Sequence, residues 1–409
     1  MSTLPIADPQ GTDAPLEATA SRARFNTAPL AICLPSMPSE ELAGMVQRLG
    51  DLFADEPVLI ATPDQAEEQT TGEGGPLLVP YPAPRTDSEW VLNAKDYVAA
   101  SKLVADRGAS GVILLGTDAG SLDADAILSL RRAMGANVDL VVPRYRTGPQ
   151  EGLVNSALLY PLTRALFGVD VRFPLPLDAG LSPRMLARLS SAAGKAAAAA
   201  DDGLVWPVAE ASIAGFSVRQ SEGGARALPR PQETDLNVLF PAVTSALFAD
   251  IESKATFWQR ARTLPAPRPV AAGHVGLQGE EAEEIRSLVE GFRLAFSNLR
   301  EIWSLVLPPQ SLLALKKLSV TPPESFSFPP SLWARTVYDF ALAFHLRTLN
   351  RGHLLGALTP LYLAWVASLL RETTAPEASD ALLEGTASAF EQEKPYLVSR
   401  WRWPDRFNP

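Results

Sequence analysis

Short apolar runs alternate with helical patterns through the first half of the chain. The run Ala28–Cys33 predicts a strand, and a helix is expected to open at Ser39, with Glu40 and Glu41 in its favourable first turn. The uninterrupted apolar run Val112–Leu115 is typical of a strand that is covered on both faces. Further strands are predicted at Val58–Ala61, Leu77–Val79 and Val138–Val142, and further helices at Ala94–Ala105, from about Asp123, and from Tyr160 to Phe167. This alternation predicts an α/β fold with a mostly parallel sheet and helices on both faces.

The pattern changes after about Asp235, where strand-like runs disappear and long helical patterns take over. These patterns cover Leu236–Arg262, Glu280–Val306 and Leu332–Leu370, with breaks at proline-rich stretches. The sequence therefore predicts an aperiodic N-terminal tail at 1–27, a sheet domain at 28–234 and a helical C-terminal region at 235–409. Four tryptophans of the helical region are predicted to be packing anchors and not ligand-stacking groups: Trp258, Trp303, Trp333 and Trp365.

One uncharged stretch, Leu354–Leu370, raises the question of a membrane contact. As a helix, its roughly 17 residues would extend about 26 Å, which is short of the ~30 Å hydrocarbon core of a bilayer. Pro360 also lies in its middle. A buried core helix is the preferred interpretation, and a re-entrant or peripheral membrane segment is the alternative.

Composition and charge exclude several classes of protein. With 46% hydrophobic and 20% charged residues, the chain can bury a large core, so a globally disordered protein is excluded. The 36 Lys and Arg against 46 Asp and Glu leave a net charge of −10, so nucleic acid is not an expected partner. A single cysteine, Cys33, and three histidines argue against a disulfide framework and a zinc site. The first residues form no apolar stretch, so a cytoplasmic location without a secretory signal is expected.

Two loops at strand ends are candidate ligand sites, because open parallel sheets bind ligands at the carboxyl ends of their strands. One is Leu34–Glu41, which leads from a strand into a helix. The other is Leu114–Asp118, where an acidic side chain leaves the edge of a buried strand. Both patterns also occur as ordinary connections of such folds. The sequence has neither a glycine-rich dinucleotide fingerprint nor a phosphate-binding loop with Gly-Lys-Ser/Thr, which argues against nicotinamide enzymes and nucleotide hydrolases.

The order of four segments resembles a known family. Leu34–Glu41 is similar to a P-x-x-N-E-E loop that receives a nucleotide, and Val112–Ser121 lies where the family carries an aspartate-x-aspartate metal motif. Val141–Ser182 resembles its long central block, and Trp206–Phe248 resembles the closing segment of its catalytic domain. The family is that of bacterial family-2-type glycosyltransferases with a nucleotide-sugar-binding GT-A fold, related to glucosyl-phosphoglycerate and mannosylglycerate synthases. The likeness spans most of residues 28–370, including a helical C-terminal extension.

This resemblance implies a nucleotide-sugar donor and a divalent metal, Mg²⁺ or Mn²⁺, that neutralises the departing diphosphate. It implies a catalytic, acceptor-side role for Asp178 and a metal-ligand position for Asp118. Simpler alternatives stay open, namely a helix-capping role for Asp118 and a structural role in its loop for Asp178. The donor-binding residues implied by the resemblance are Pro35, Ser36, Glu40, Asp118, Arg144 and Arg164.

Several metal-site positions depart from the family pattern. Gly116 stands at the first aspartate position, and the acceptor-side motif, often Gly-Gly-Asp, reads Pro176-Leu177-Asp178. Leu204-Val205 replaces a usual acidic position, and no histidine occurs in Gly224–Pro229. Asp118 therefore lacks its partner ligand, and the implied metal site is degenerate. Arginines could clamp phosphates instead, because a guanidinium binds phosphate bidentately, although solvated or salt-bridged arginines are the alternative: Arg144, Arg146, Arg164 and Arg172.

Two functions are compatible with this sequence. The first is a glycosyltransferase that moves a sugar from a nucleotide-sugar to a small or lipid-like acceptor, with arginines in place of the missing metal charge. The second is a non-catalytic homologue that keeps the fold as a binding or partner module. Its aromatic helical region would then form an interface with an active homologue or with a second copy of the chain. Sugar transfer is the preferred interpretation and the non-catalytic homologue is the alternative, since a likeness of fold does not by itself establish chemistry.

Overall fold

The computed structural model describes residues 28–70, 75–81, 91–147, 151–198, 204–226, 236–262, 280–372 and 376–404. The predicted tail at 1–27 and the predicted domain boundary at 234/235 lie outside these residues. The described strands are β1 (Leu30–Cys33), β2 (Val58–Thr62), β3 (Gln69–Thr70), β4 (Leu77–Pro80), β5 (Gly111–Leu114), β6 (Leu140–Arg146), β7 (Ala179–Leu181) and β8 (Val218–Ala225). They form one sheet in the order β3-β4-β2-β1-β5-β7-β6-β8.

Parallel pairing dominates this sheet. β1 pairs in parallel with β2 and with β5, β2 with β4, and β6 with β8. β7 runs antiparallel to both of its neighbours, β5 and β6. Strands β5 and β6 therefore point the same way, and their carboxyl ends lie at the same edge of the sheet as those of β1, β2 and β4.

Helices cover both faces of the sheet, as the buried strand residues require. Helices α1 (Ser39–Leu52) and α3 (Ala124–Ala133) pack on the face that carries Leu30 and Ile32 of β1. Helices α2 (Ala94–Arg107) and α4 (Pro183–Ala198) pack on the opposite face. Successive strand residues point to opposite faces, so a strand buried on both sides needs an uninterrupted apolar run. The predicted α/β fold with a mostly parallel sheet is confirmed.

A helical segment at 155–167, here called the central helix, connects the sheet to the rest of the chain. It has π-helical turns at Asn155–Leu159 and Thr163–Phe167 on either side of an α-helical turn at Tyr160–Leu162. A π-helical turn shifts backbone hydrogen bonds away from the usual i+4 partner. The Ala157 carbonyl accepts a hydrogen bond of 2.9 Å from the indole N–H of Trp333. This bond joins the central helix to the C-terminal region.

The C-terminal region is helical in all of its described parts, as predicted. The expected continuous helix over Leu332–Leu370 is instead two helices, because Arg347 adopts a left-handed conformation with φ of 54° and ends the first one. From residue 207 onwards the helices are α5 (Pro207–Ala214), α6 (Leu236–Ser253), α7 (Ala255–Trp258), α8 (Glu280–Val306), α9 (Pro309–Ser319), α10 (Pro330–Leu346), α11 (Arg351–Glu372) and α12 (Pro376–Arg402).

These helices share one apolar core with the central helix. The tryptophans at 258, 303, 333 and 365 are buried in it, which confirms their role as packing anchors. Within the described part of the chain, α11 is the one helix long and apolar enough to cross a membrane. Inside the protein, 78% of its apolar window is buried, as the core-helix interpretation expects.

Candidate functional site

The sheet has a topological switch between β1 and β5. From β1 the chain proceeds outward to β2 and β4, and it then returns to the other side of β1 to form β5. The loops that leave β1 and β5 therefore start side by side at the carboxyl edge, and the place where they leave the sheet is here called the crevice. Open α/β sheets bind their ligands in such crevices. Both loops singled out in the sequence meet here.

The loop after β1 is held in place by an acidic residue from the end of β2. Asp64 accepts hydrogen bonds of 2.8 Å from the Ser36 hydroxyl and from the Met37 backbone N–H. Pro35 is half-buried, whereas Ser36 and Glu40 are exposed at the rim of the crevice. Sequence reasoning missed Asp64, although its position just beyond a strand at this edge was a usable signal.

The loop after β5 passes very close to the segment that precedes β7. A Cβ atom built on Gly116 would overlap the carbonyl oxygen of Leu177, so the backbone fits only with glycine at this position. The first aspartate of a two-aspartate motif therefore has no room in this arrangement. Asp118 follows in a left-handed conformation, with φ of 60°, and 59% of its side chain is exposed.

A buried arginine, Arg226, fills the space behind this loop. Its side chain is fully buried, and it donates hydrogen bonds to the backbone carbonyls of Thr117 and Asp118. It also donates to the Ser121 hydroxyl at 3.1 Å and to Asp178 Oδ1 at 3.3 Å. Its Nη1 lies 3.9 Å from Asp118 Oδ2. One guanidinium thus links both carboxylates that the sequence singled out.

Asp178 is also fully buried and is surrounded by donors. Its carboxylate accepts 2.9 Å hydrogen bonds from the Gly116 N–H and from the Tyr145 hydroxyl, which in turn accepts the Asp178 N–H at 3.0 Å. Burial raises the pKa of Asp178, and the Arg226 charge and the Gly116 N–H act in the opposite direction. The small cavity beside Asp178 and Tyr145 has no room for a water molecule. In this conformation Asp178 fixes the loop and does not face an acceptor.

The two predicted donor-binding arginines lie elsewhere and bind carboxylates of α12. Arg144, at the end of β6, is exposed and donates to Asp380 at 3.2 Å. Arg164 is buried in the central helix and donates to Glu391 at 2.8 Å and to Glu384 at 2.5 Å. The structure does not bring these two side chains to Asp118, and their donor-binding role stays a prediction.

A divalent metal does not fit the crevice. Within the described residues, no group of three or more His, Cys, Asp or Glu side chains is placed to hold a metal ion. The Arg226 guanidinium lies where it would repel a cation next to Asp118, and a second loop carboxylate at position 116 is excluded by the backbone.

Arg226 is the functional residue that sequence reasoning missed. It directly follows β8, within the segment Gly224–Pro229 where the resemblance implied a histidine ligand. A usable signal was present in the sequence, because the segment that lacks the expected histidine contains an arginine directly after a strand.

Comparisons with known proteins give limited further information. No protein-family description and no curated protein matches the sequence. Among solved structures, glucosyl-3-phosphoglycerate synthase from Mycobacterium tuberculosis with Mn²⁺, UDP and glucosyl-3-phosphoglycerate is similar, with 14% sequence identity and a TM-score of 0.35. The similar region covers 65% of this chain and 91% of that protein. The same enzyme with Mg²⁺ and UDP gives 14% identity, a TM-score of 0.35, and coverage of 67% and 90% respectively.

Those values are too low to transfer a function to this chain. The architecture itself is defined by the strand order and by two antiparallel strands, β7 between β5 and β6 and the short β3 beside β4. The chain therefore has an α/β fold consistent with the GT-A-like sheet expected from its sequence, followed by a helical C-terminal region.

Proposed function

We propose that this chain is a non-catalytic, glycosyltransferase-like protein whose sheet domain serves as a binding or partner module. The observation that carries the proposal is the position of Arg226, which is buried between Asp178 and the Thr117-Asp118 loop. The guanidinium supplies a positive charge where a metal would, but its N–H groups donate to oxygen atoms of the protein itself. It therefore has no N–H group left to stabilise the negative charge that develops on a departing diphosphate.

The charges around the crevice support the same conclusion. The Arg226 and Asp178 charges offset one another, which leaves Asp118, Asp64 and Glu40 at the rim. The other nearby cation, Arg48, donates to the Leu122 carbonyl at 3.0 Å. Among the described residues of these loops, a nucleotide diphosphate would meet exposed carboxylates, and the Arg226 guanidinium is already bonded to the protein. A departing diphosphate would then lose several kcal/mol of electrostatic stabilisation.

Sugar transfer is the second candidate function, and one observation favours it. Asp118 is a non-glycine residue in the left-handed region at the topological switch of the sheet. Strained backbone of this kind clusters at ligand sites, and the exposed carboxylate could contact a ribose. A transferase with this geometry would work without metal, so its activity would be the same in EDTA and in Mn²⁺.

A transfer assay separates the two candidates. The purified full chain is incubated with UDP-glucose and phosphoglyceric acid, the ligands of another structure of the same similar enzyme, and with other nucleotide-sugars, in Mn²⁺ and in EDTA. We expect no transfer and no donor hydrolysis in either condition. Turnover that requires Mn²⁺ would overturn the proposal, and turnover in EDTA that Asp118→Asn abolishes would establish the metal-independent transferase instead.

A partner role would use the helical region. Helices α8 and α9 expose the large apolar side chains of Leu294, Leu305 and Leu313, and Val320 is exposed directly after α9. The buried tryptophans are not available for such an interface, so the aromatic surface expected from the sequence would be replaced by this aliphatic one. Sedimentation of the wild type and of Leu294→Glu/Leu305→Glu tests this, since loss of self-association in the variant is expected if the partner is a second copy. A cytoplasmic location, suited to the reduced Cys33, belongs to the same proposal.

A further inference from the structure

A groove runs along helix α1, on the face of the sheet that carries Leu30 and Ile32. Its volume is about 760 Å³, which lies within the range of ligand-binding clefts. One wall is α1, and the other is formed by β4 and by the connection from β2 to β3. Asp64 lies at the end next to the crevice, and Glu56, beyond the end of α1, lies at the other. The groove therefore extends well away from the crevice.

The part of the chain that surrounds this groove is strongly acidic. Residues 39–70 contain eight carboxylates and a single basic residue, Arg48, and so carry most of the net charge of −10. Arg48 donates to the Leu122 carbonyl and does not belong to the groove wall. Among the described residues of that wall, the charged side chains are all acidic: Asp51, Glu56 and Asp64. Such a field repels phosphate and other anions and attracts cations.

Polar side chains on both walls are available to a partner. Gln47 and Asp51 are exposed one helical turn apart on α1, and Gln69 is exposed on β3. None of these three side chains forms a hydrogen bond or an ion pair with any residue that the structure describes. Glu56, in contrast, is already paired with Arg131 at 2.5 Å. A glutamine amide both donates and accepts hydrogen bonds, as a peptide group requires of its partner.

Small and apolar side chains complete the wall that α1 provides. Leu42 and Val46 line the groove together with the small residues Ala43, Gly50 and Ala54. Small residues allow an extended backbone to approach the helix, and apolar ones can cover the alkyl stems of lysine or arginine. A free polyamine is a poorer match, because it has no acceptor for the N–H groups of the glutamines.

We propose that this groove binds an extended segment of a partner protein in which basic and apolar side chains alternate. Asp51 would pair with a lysine or arginine of that segment, and Gln47 and Gln69 would bind its backbone peptide groups. The 14 residues of α1 extend about 21 Å, which is the span of about six residues of an extended chain. The groove would give the sheet domain a partner of defined chemistry, and in this respect it rests on the proposed function.

Fluorescence anisotropy with a labelled peptide tests the groove. The probe is a hexapeptide of three Lys-Leu repeats, capped at both ends and titrated with the full chain. We expect binding that weakens as the salt concentration is raised from about 50 to about 300 mM, because the attraction between exposed charges is screened. A hexapeptide of three Glu-Leu repeats should not bind, since the groove is acidic.

Two variants locate the bound peptide, and each has a matched control on the opposite face of the sheet. Asp51→Asn is expected to weaken binding about threefold relative to Asp106→Asn, an exposed aspartate of α2. Ala43→Trp would fill the groove without changing its charge. It is expected to weaken binding about tenfold or more relative to Ala187→Trp, at an exposed position of α4.

Failure of the lysine peptide to bind at low salt would overturn the proposal, as would equal binding of the glutamate peptide. Binding that either Asp51→Asn or Ala43→Trp leaves at the level of its control would place the peptide elsewhere and would also overturn it. Spermidine that binds as tightly as the peptide would identify a polyamine site instead of a peptide site. Sugar transfer in the absence of peptide would contradict only the proposed lack of catalysis, so the two failures are distinguishable.

Discussion

Replacement of Arg226 by methionine tests the role of the buried cation in the crevice loop. Methionine keeps much of the side-chain volume but removes the charge and the donors to four oxygen atoms. Two of these, the carbonyls of Thr117 and Asp118, belong to exposed residues and can bind water instead. Asp178 is fully buried and cannot reach water, so its loss of a counter-charge dominates the effect.

The burial of Asp178 sets the expected stability loss of Arg226→Met. Breaking a buried ion pair by removing one partner costs about 3–5 kcal/mol, because a charge without a counter-charge is left in the interior. Two further donors to Asp178 remain in the variant, namely the Gly116 N–H and the Tyr145 hydroxyl. The expected loss of unfolding free energy therefore lies near the lower end of this range, at about 3 kcal/mol. The double variant Arg226→Met/Asp178→Asn should recover part of this loss, since the buried charge is then gone.

Urea denaturation measures the stability change, and hydrogen exchange of the Gly116 amide, which donates to Asp178, reports on the loop itself. Arg132→Met on exposed α3 is the matched control and should lie within about 0.5 kcal/mol of the wild type. A loss below about 1 kcal/mol in Arg226→Met, or a double variant less stable than the single one, would refute the reasoning.

Three further predictions concern other parts of the fold. Gly116→Ala should lower the free energy of unfolding by about 1–3 kcal/mol, because its Cβ would overlap the Leu177 carbonyl. As the control, Gly44→Ala at an exposed position of α1 should raise it by about 0.5–1 kcal/mol, and urea denaturation midpoints compare the two variants. Burial lowers the pKa of Lys394 from 10.5 to about 8, so the folded state binds fewer protons than the unfolded state between these values. Stability should therefore rise with pH across that window, and Lys394→Met should remove this slope in denaturation measured at several pH values. Trp333→Phe should lower the free energy of unfolding by about 1–2 kcal/mol, because the buried Ala157 carbonyl loses its hydrogen-bond donor. Thermal unfolding should show no such loss for Trp403→Phe, since Trp403 is exposed after the end of α12.

Much of the fold could be predicted from hydrophobic periodicity. The run at 112–115 reads as apolar without interruption because β5 is covered on both faces, and the Glu280–Val306 helix has a clear apolar stripe. An arginine in the left-handed conformation carries no local sequence signal, so the break at Arg347 was missed. Asn350 was a usable signal, because its side chain caps the start of α11 by accepting a hydrogen bond of 2.9 Å from the Gly352 N–H. The π-helical turns of the central helix could not be predicted from local sequence either, since they depend on tertiary contacts such as the hydrogen bond from Trp333 to the Ala157 carbonyl.

The candidate site was predictable in its position but not in its chemistry. Strand ends placed the Ser36 and Asp118 loops at one edge, since the carboxyl ends of parallel strands meet there. The burial of Asp178 and its contact with Arg226 depend on how β7 and the end of β8 pack, over a separation of 48 residues along the chain. Arg164, a donor-binding residue implied by the resemblance, instead binds α12.

Binding of Mn²⁺ tests the central claim most directly. The full chain is titrated with Mn²⁺ in the presence and absence of UDP-glucose, and bound metal is measured by electron paramagnetic resonance, with Asp118→Asn as the comparison. The account predicts no specific Mn²⁺ binding, and no difference between the wild type and the variant, because a guanidinium already neutralises the loop. Stoichiometric Mn²⁺ binding that UDP-glucose strengthens and Asp118→Asn abolishes would contradict it.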